Sequence, residues 1–257
     1  MHRDVFLTYP GRIQENPLDN PNLQEAAHRL FTDGQMEALR AIYEGSVDTV
    51  TGERIIAPFL PGTEAEGLSL VDYSNREKFA HDFFYLYRWI WGKDFDFMKF
   101  DFHKNLKDAE EKLGPILDAT DPDLEVFRKR GGKLLVIGGS SDAIIPYTGF
   151  LDFYRKVMEK QESLEQTREF FRFFLMPGFG HTFWGSGVQD IGIIGISAIP
   201  KEKERDILCA MEAWVEKGEA PDRLLGTHYQ AGADGTHTEY VRPAYAYPYI
   251  AVLKGAD

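Results

Sequence analysis

Short apolar runs alternate with amphipathic segments in the second half of the chain. Residues 133–137 and 170–176 are continuous apolar stretches that end near glycines, as expected for strands buried on both faces of a parallel sheet. Residues 148–161 and 203–217 carry apolar side chains at helical spacing. The face of the last helix predicted to be buried consists of Ile207, Leu208, Met211, Trp214 and Val215. Strand, helix, strand, helix in this order predicts an α/β fold.

The sequence of the first half of the chain predicts two helices and contains a segment rich in aromatic residues. Residues 32–44 predict a helix that begins after a capping residue and ends at Gly45. The pattern of residues 78–91 predicts a second helix that is apolar on more than one face. Such a helix is expected to pack on a core with one face and to cover a second apolar surface with another. Residues 94–102 alternate charged and aromatic side chains, which favours an extended segment with one buried face.

Aromatic residues make up 14% of the sequence, and many of them lie between residues 73 and 102. Such sets either fill a core or line an apolar pocket. The candidates for contact with a substrate are Phe83, Tyr87, Trp89 and Trp91. The alternative for any one of them is a packing role.

Composition narrows the range of functions. The 257 residues are 43% hydrophobic and carry a formal net charge of −12, a charge that repels nucleic-acid phosphates. The sequence contains no apolar run of about 18 residues, so we expect no membrane span. The first residues lack the apolar core of a signal peptide, and the cellular location stays open. Cys209 is the single cysteine, so no internal disulfide is possible.

Asp142 and His181 are the candidate catalytic residues. Each follows one of the two buried strands, and the carboxyl ends of parallel strands are where sites form in open α/β sheets. An acid followed by a histidine is the order found in α/β-hydrolase triads, where the acid orients the imidazole and the imidazole acts as the base. The alternative is that Asp142 shapes a turn and His181 is structural.

The serine that would complete such a triad is missing from the sequence. A nucleophile elbow has the form Gly-x-Ser-x-Gly and precedes the acid, and no such motif occurs here. Ser140 and Ser141 lie too close to Asp142 in sequence to form the elbow. His228 and His237 flank a predicted glycine-rich loop without metal-ligand spacing, and we interpret them as solvated.

Several ordered motifs resemble the tannase/feruloyl esterase family, from about residue 31 to the end. Residues 121–134 resemble the family's segment that leads into the strand before the catalytic acid. Residues 142–146 (DAIIP) resemble the loop that carries the acid, and residues 176–181 (MPGFGH) resemble the loop that carries the histidine. Residues 214–222 resemble a late helix and turn of the family, and residues 242–248 resemble its C-terminal tail. Residues 32–53 resemble part of its lid. In the family a cysteine beside the serine pairs with one beside the histidine. That second position here is Thr182, so we expect the triad geometry to rest on packing.

The resemblance implies the C-terminal part of an α/β-hydrolase core, a mostly parallel sheet flanked by helices, plus part of an inserted lid domain. Residues 1–126 would form part of the lid and the connection back to the core, and residues 127–257 the C-terminal part of the core. The family implies a serine carboxylesterase acting on esters of aromatic acids of the feruloyl or galloyl type, and many of its members are secreted. We expect no cofactor in this chain, because most of the calcium-binding loop of the family's lid would precede residue 1.

Two hypotheses about function remain at this point. In the first, an N-terminal segment or subunit supplies the serine, and this chain supplies Asp142 and His181 for hydrolysis of a small aromatic ester. In the second, the chain is a non-catalytic subunit or pseudoenzyme that keeps the fold. A serine within hydrogen-bond reach of His181 in the assembled protein distinguishes them.

Overall fold

The computed structural model describes residues 7–8, 31–60, 63, 88–96, 99–181, 185–192, 199–232 and 235–251. The helices are α1 Asp33–Glu44, α2 Arg88–Trp91, α3 Lys104–Leu117, α4 Glu125–Lys129, α5 Tyr147–Gln161, α6 Leu164–Arg168 and α7 Ile207–Lys217. The strands are β1 Leu7–Thr8, β2 Leu134–Gly139, β3 Phe171–Met176, β4 Arg223–Gly232, β5 Gly235–Tyr245 and β6 Tyr249–Ile250. Most of the helix predicted over residues 78–91 lies outside the described residues, which contain only its end as α2.

Strands β2 and β3 form a parallel pair, as the sequence predicted. Their register runs from Leu134 opposite Phe171 to Gly139 opposite Met176, and α5 and α6 lie between them in sequence. Parallel strands need such a crossover, because the chain must return to the same end of the sheet before the second strand begins. The carboxyl ends of both strands therefore lie at one edge of the pair.

The core lies on both faces of β3. Phe171 and Phe173 belong to a cluster with Tyr154 and Val157 of α5. Phe174 and Met176 point to the opposite face and join a cluster that includes residues of α7 and β4. Successive side chains of a strand alternate between faces, so an unbroken apolar run is what two buried faces require. Burial of each large side chain contributes about 1.5–3 kcal/mol.

A long antiparallel hairpin, β4–β5, follows α7 and continues into the tail. Its register pairs Arg223 with Tyr245 at one end and Gly232 with Gly235 at the other. Beyond it, Ala246 bridges to Phe174 of β3, and the amide of Tyr247 donates to the carbonyl of Phe173 at 2.8 Å. The hairpin and tail thus pack against β3, while β6 pairs with β1. His228 and His237 flank the β4–β5 turn, but the interpretation of both as solvated loop residues was wrong. Both lie on strands, and the His228 side chain is only 16% exposed, whereas His237 is exposed.

Helix α7 is shorter than predicted and is rotated relative to the expected face. It begins at Ile207, because the Asp206 carboxylate caps it by accepting the amides of Leu208 and Cys209. Trp214 is buried as predicted, but Leu208 and Val215 are 62% and 63% exposed. The face of α7 that is buried carries Ala210 and Ala213 together with Trp214, so the helix is turned relative to the face predicted from the apolar spacing.

The expectation of an extended segment over residues 94–102 was wrong for the part that the structure describes. The chain forms turns here, with the Phe95 amide donating to the Gly92 carbonyl and the Lys99 amide to the Asp96 carbonyl. Trp91 stacks on Phe95 with ring centroids 4.6 Å apart. The alternation of charge and aromatic residues therefore reflects a local aromatic cluster and not a strand. Helix α1 begins and ends as predicted, with Thr32 in a capping box.

Candidate active site

Two loops meet at the carboxyl ends of the parallel strands. The loop after β2 carries Asp142, and the loop after β3 carries His181. Backbone bonds join the loops, since the Ser140 amide donates to the Met176 carbonyl at 3.1 Å and the Ser141 amide to the Phe179 carbonyl at 3.0 Å. The parallel register therefore brings together two residues that are 39 positions apart in sequence.

The Asp142 carboxylate is buried, and both of its oxygens accept hydrogen bonds. Its Oδ1 accepts the backbone amides of Ile144 and Ile145 at 2.8 and 2.9 Å, which fixes the side chain in a tight turn. Its Oδ2 lies 3.0 Å from Nδ1 of His181. The side chain is 8% exposed. The backbone donors occupy one carboxylate oxygen and leave the other for the imidazole.

The His181 side chain is 33% exposed, in contrast to its buried acid partner. A carboxylate at Nδ1 favours the tautomer with the proton on Nδ1, which leaves Nε2 as the basic nitrogen. Within the described part of the chain, no hydroxyl group is hydrogen-bonded to Nε2. The Asp142 carboxylate can orient the imidazole and stabilise an imidazolium. The described residues do not place a nucleophile at the imidazole.

A strap made of residues 185–190 supports the histidine loop. The Gly187 amide donates to the Gly178 carbonyl at 3.0 Å, and the Val188 amide to the Pro177 carbonyl at 3.1 Å. Two residues of the strap also bond β4, since the Gln189 amide donates to the Thr227 carbonyl and the Tyr229 hydroxyl donates to Asp190 at 2.8 Å.

Burial and this bond to Asp190 raise the pKa of Tyr229 to about 12. No local pattern in the sequence indicates the strap, because its bonds to β4 join residues about 40 positions apart.

The candidate substrate residues are only partly described. Phe83 and Tyr87 lie outside the described residues. Trp89 is 69% exposed, whereas Trp91 donates its indole N–H to Asp108 at 2.7 Å and contacts Phe95 and Phe100. The role predicted for these four residues in binding a substrate stays a prediction.

An apolar cavity of about 310 Å³ lies beside the two loops. Ser140 and Pro177 contribute to its wall at the loops, and Tyr147, Phe173 and Tyr247 line it further along. The sequence analysis did not find this cavity, because it forms between α5, β3 and the tail, three segments that are distant in sequence. Its lining could accommodate an apolar group close to the Asp142–His181 pair.

A second aspartate–histidine pair lies in the first half of the chain. Oδ2 of Asp48 lies 2.7 Å from Nδ1 of His103, and the backbone amides of Val50 and Thr51 donate to Oδ1. The hydrogen bond with His103 lowers the pKa of Asp48 to about 2. The pair connects the turn before Arg54 to the start of α3, and no pattern in the sequence indicates it, because the two residues are 55 positions apart.

Two further features concern metal ions and membranes. Within the described ranges, no group of three or more His, Cys, Asp or Glu side chains is placed to hold a metal ion. None of the helices in the same ranges is both long and apolar enough to cross a bilayer.

Comparison with known proteins gives a consistent picture. The family model described as tannase and feruloyl esterase matches residues 22–257. The chain is 33% identical over 253 residues to an uncharacterized esterase of Xanthomonas campestris, covering 88% of this chain and 44% of that protein. It is 31% identical over 256 residues to a probable feruloyl esterase B-1 of Aspergillus flavus, covering 95% of this chain and 47% of that protein. The chain thus spans about half the length of these curated relatives.

Solved structures resemble the chain over a similar extent. An esterase from Aspergillus oryzae superposes with a TM-score of 0.76 at 29% identity, covering 88% of this chain and 44% of that one. Feruloyl esterase B from Aspergillus oryzae superposes with a TM-score of 0.74 at 23% identity, covering 89% and 44%. With these neighbours, the parallel strand pair and its flanking helices define part of an α/β-hydrolase fold. The chain belongs to the tannase and feruloyl esterase family.

Proposed function

We propose that this chain is the acid- and histidine-bearing part of a serine carboxylesterase that hydrolyses esters of aromatic acids. The observation that carries the proposal is the 3.0 Å contact between Nδ1 of His181 and Oδ2 of Asp142, at the edge where α/β-hydrolase sites form. Membership of a family named for tannase and feruloyl esterase supports ester hydrolysis and the aromatic acyl group.

In the proposed mechanism the nucleophile is a serine from a segment outside this sequence. Nε2 of His181 takes the proton of the serine hydroxyl as its oxygen attacks the ester carbonyl carbon. The imidazolium that forms is stabilised by the Asp142 carboxylate, and it returns the proton to the alcohol as the ester C–O bond breaks. Water then attacks the acyl-serine with the same base, which releases the acid and restores the serine.

The proposal that another segment supplies the serine has three supports. The sequence contains no Gly-x-Ser-x-Gly, and the chain corresponds to 44–47% of the length of the relatives named above. The side chains of β2 from Leu134 to Ile137 are only partly buried, whereas those of β3 from Phe171 to Phe174 are buried. Further strands and helices packed against β2 would bury these side chains and could bring the elbow serine to His181.

The missing serine also favours a second candidate, a non-catalytic subunit that keeps the fold. A labelling experiment separates the two candidates. Protein purified from its native source is treated with a fluorophosphonate probe, and the labelled peptide and intact masses are determined by mass spectrometry. The proposal expects a labelled serine in a Gly-x-Ser-x-Gly peptide, in the same polypeptide or in a bound partner, together with hydrolysis of methyl ferulate or methyl gallate. Absence of both labelling and hydrolysis would favour the non-catalytic subunit.

A further inference from the structure

The hydroxyl of Ser140 links the two loops of the candidate site. Its Oγ accepts the backbone amide of Gly178 at 2.7 Å, across 38 positions of sequence. Ser140 directly follows β2 and precedes Asp142 by two residues, and Gly178 precedes His181 by three. This is a side-chain contact between the loop that holds the acid and the loop that holds the histidine.

The surroundings of this bond leave the histidine loop little freedom. The backbone of Gly178 has a φ of 68°, in the left-handed region, so the loop turns sharply at the point where Ser140 holds it. A β-carbon on Gly178 would lie 2.5 Å from backbone atoms of Gly187. The loop is therefore packed between the strap on one side and the acid loop on the other.

Outside the Asp142–His181 pair, the Ser140 hydroxyl makes a contact between the described parts of the two loops that a side-chain substitution can remove without changing the backbone. The Ser141 bond to Phe179 and the Ser140 bond to Met176 are made by amides, which every residue except proline retains. Removal of the Ser140 hydroxyl would leave the Gly178 amide without its acceptor, and a partly buried amide tends to find another partner by moving.

We infer that Ser140 is a positioning residue: its Oγ holds the histidine loop on the acid loop so that Nδ1 of His181 stays within hydrogen-bond distance of Asp142. The inference rests on the proposed function for its catalytic consequence. Cys209 is the single cysteine of the sequence, so no disulfide within the chain can join the two loops. A hydrogen bond between the loops therefore supplies part of the constraint.

The test compares three variants of the assembled protein, the chain together with its serine-bearing segment. Ser140→Ala removes the acceptor. Ser140→Thr retains the hydroxyl at a position that borders the apolar cavity. Ser141→Ala is the matched control, because the bond of Ser141 to the described part of the histidine loop is made by its backbone amide, which alanine keeps.

The expected result is a split between kcat and KM. Ser140→Ala should lower kcat for methyl ferulate by about tenfold or more with KM little changed, because small displacements of a catalytic group slow the chemical step more than they weaken substrate binding. Ser140→Thr should recover most of kcat, and Ser141→Ala should match the parent. A Ser140→Ala enzyme with parental kcat, or an equal loss in Ser141→Ala, would overturn the inference.

A second measurement does not depend on activity. In protein labelled with ¹⁵N, the downfield Nδ1 proton signal of His181 reports its hydrogen bond to Asp142. We expect this signal to weaken or broaden in Ser140→Ala and to return in Ser140→Thr. If no ester is hydrolysed by the parent protein, the proposed function fails while this signal still decides the positioning role. An unchanged signal in Ser140→Ala would reject that role.

Discussion

A β-carbon on Gly139 would lie 2.1 Å from the carbonyl oxygen of Phe179. This distance is far below van der Waals contact, and the atom it meets belongs to the backbone, so it cannot move aside as a flexible side chain can. The closeness of the acid and histidine loops therefore depends on a position that has no side chain.

The substitution Gly139→Ala should force the two loops apart. We expect a loss of about 1–3 kcal/mol in the free energy of unfolding, the usual cost of overpacking a close contact, together with a large loss of esterase turnover. Denaturant unfolding and ester hydrolysis measure the two effects. Gly149→Ala is a suitable control, because its β-carbon would meet only the Cβ of Ala57 at 3.7 Å, and alanine favours the helix in which it lies. Equal stability of the two variants would contradict this account of the contact.

Substitution of the catalytic pair should abolish activity with little effect on folding. His181→Ala removes the proposed base, and Asp142→Asn should cost on the order of 10⁴ in turnover, as the corresponding change does in a serine protease. Melting temperatures should stay near the parent value if the residues serve chemistry.

The assay for the catalytic pair is hydrolysis of an aromatic ester by the assembled enzyme, with His237→Ala as a control on an exposed histidine. If His181→Ala retains more than about a tenth of parental turnover, the catalytic assignment is wrong.

The two tryptophans of α2 should behave differently. Trp89→Ala should weaken binding of aromatic esters more than that of acetyl esters with little change in stability, because the side chain is largely exposed. Trp91→Ala should lower the melting temperature, because it removes the bond to Asp108 and the stack on Phe95. Steady-state kinetics with methyl ferulate and an acetyl ester, together with thermal unfolding, measure both. Equal losses on both ester classes for Trp89→Ala would reject a role in acyl recognition.

The Asp48–His103 pair should make stability depend on pH in a defined range. The pKa of Asp48 is lowered from 3.8 to about 2, chiefly by its hydrogen bond with His103, so the folded state favours the ionised carboxylate. The resulting stabilisation is fully present above about pH 4 and is lost as the pH falls towards 2.

Denaturant unfolding of the parent and of Asp48→Asn at several pH values between 2 and 6 tests this. The difference in stability between them should shrink as the pH falls through this range. Asp94→Asn, at a side chain that is 84% exposed, is the control. A constant difference between the parent and Asp48→Asn would show that the pair does not contribute through ionisation.

Local patterns in the sequence were enough to predict much of the site. The apolar runs that became β2 and β3 were recognisable because a strand buried on both faces needs an unbroken apolar stretch. Asp142 and His181 were recognisable because each follows such a strand. The order of the elements then implied that both residues lie at one edge of the sheet, and the parallel register places them there. The family was recognisable for the same reason, since its motifs are short and local.

Other features could not be predicted, because they depend on which segments meet in space. Strand β5 contains Pro243, which cannot donate to the ladder and argues against a strand, yet the pairing with β4 tolerates it. Leu208 and Val215 fit the apolar face predicted for α7, but the described residues bury Ala210 and Ala213 instead and leave these two side chains exposed.

The sequence by itself determined which residues are candidates for ester hydrolysis, because strand patterns and loop motifs consist of neighbouring positions. Only the tertiary structure decided how these residues are held. The bond from Gly178 to Ser140, the contact of Gly139 with Phe179 and the strap held by Thr227 each join residues about 40 positions apart. Such contacts follow from the register of β2 on β3 and from the path of the hairpin. The periodicity of apolar residues along the chain does not predict them.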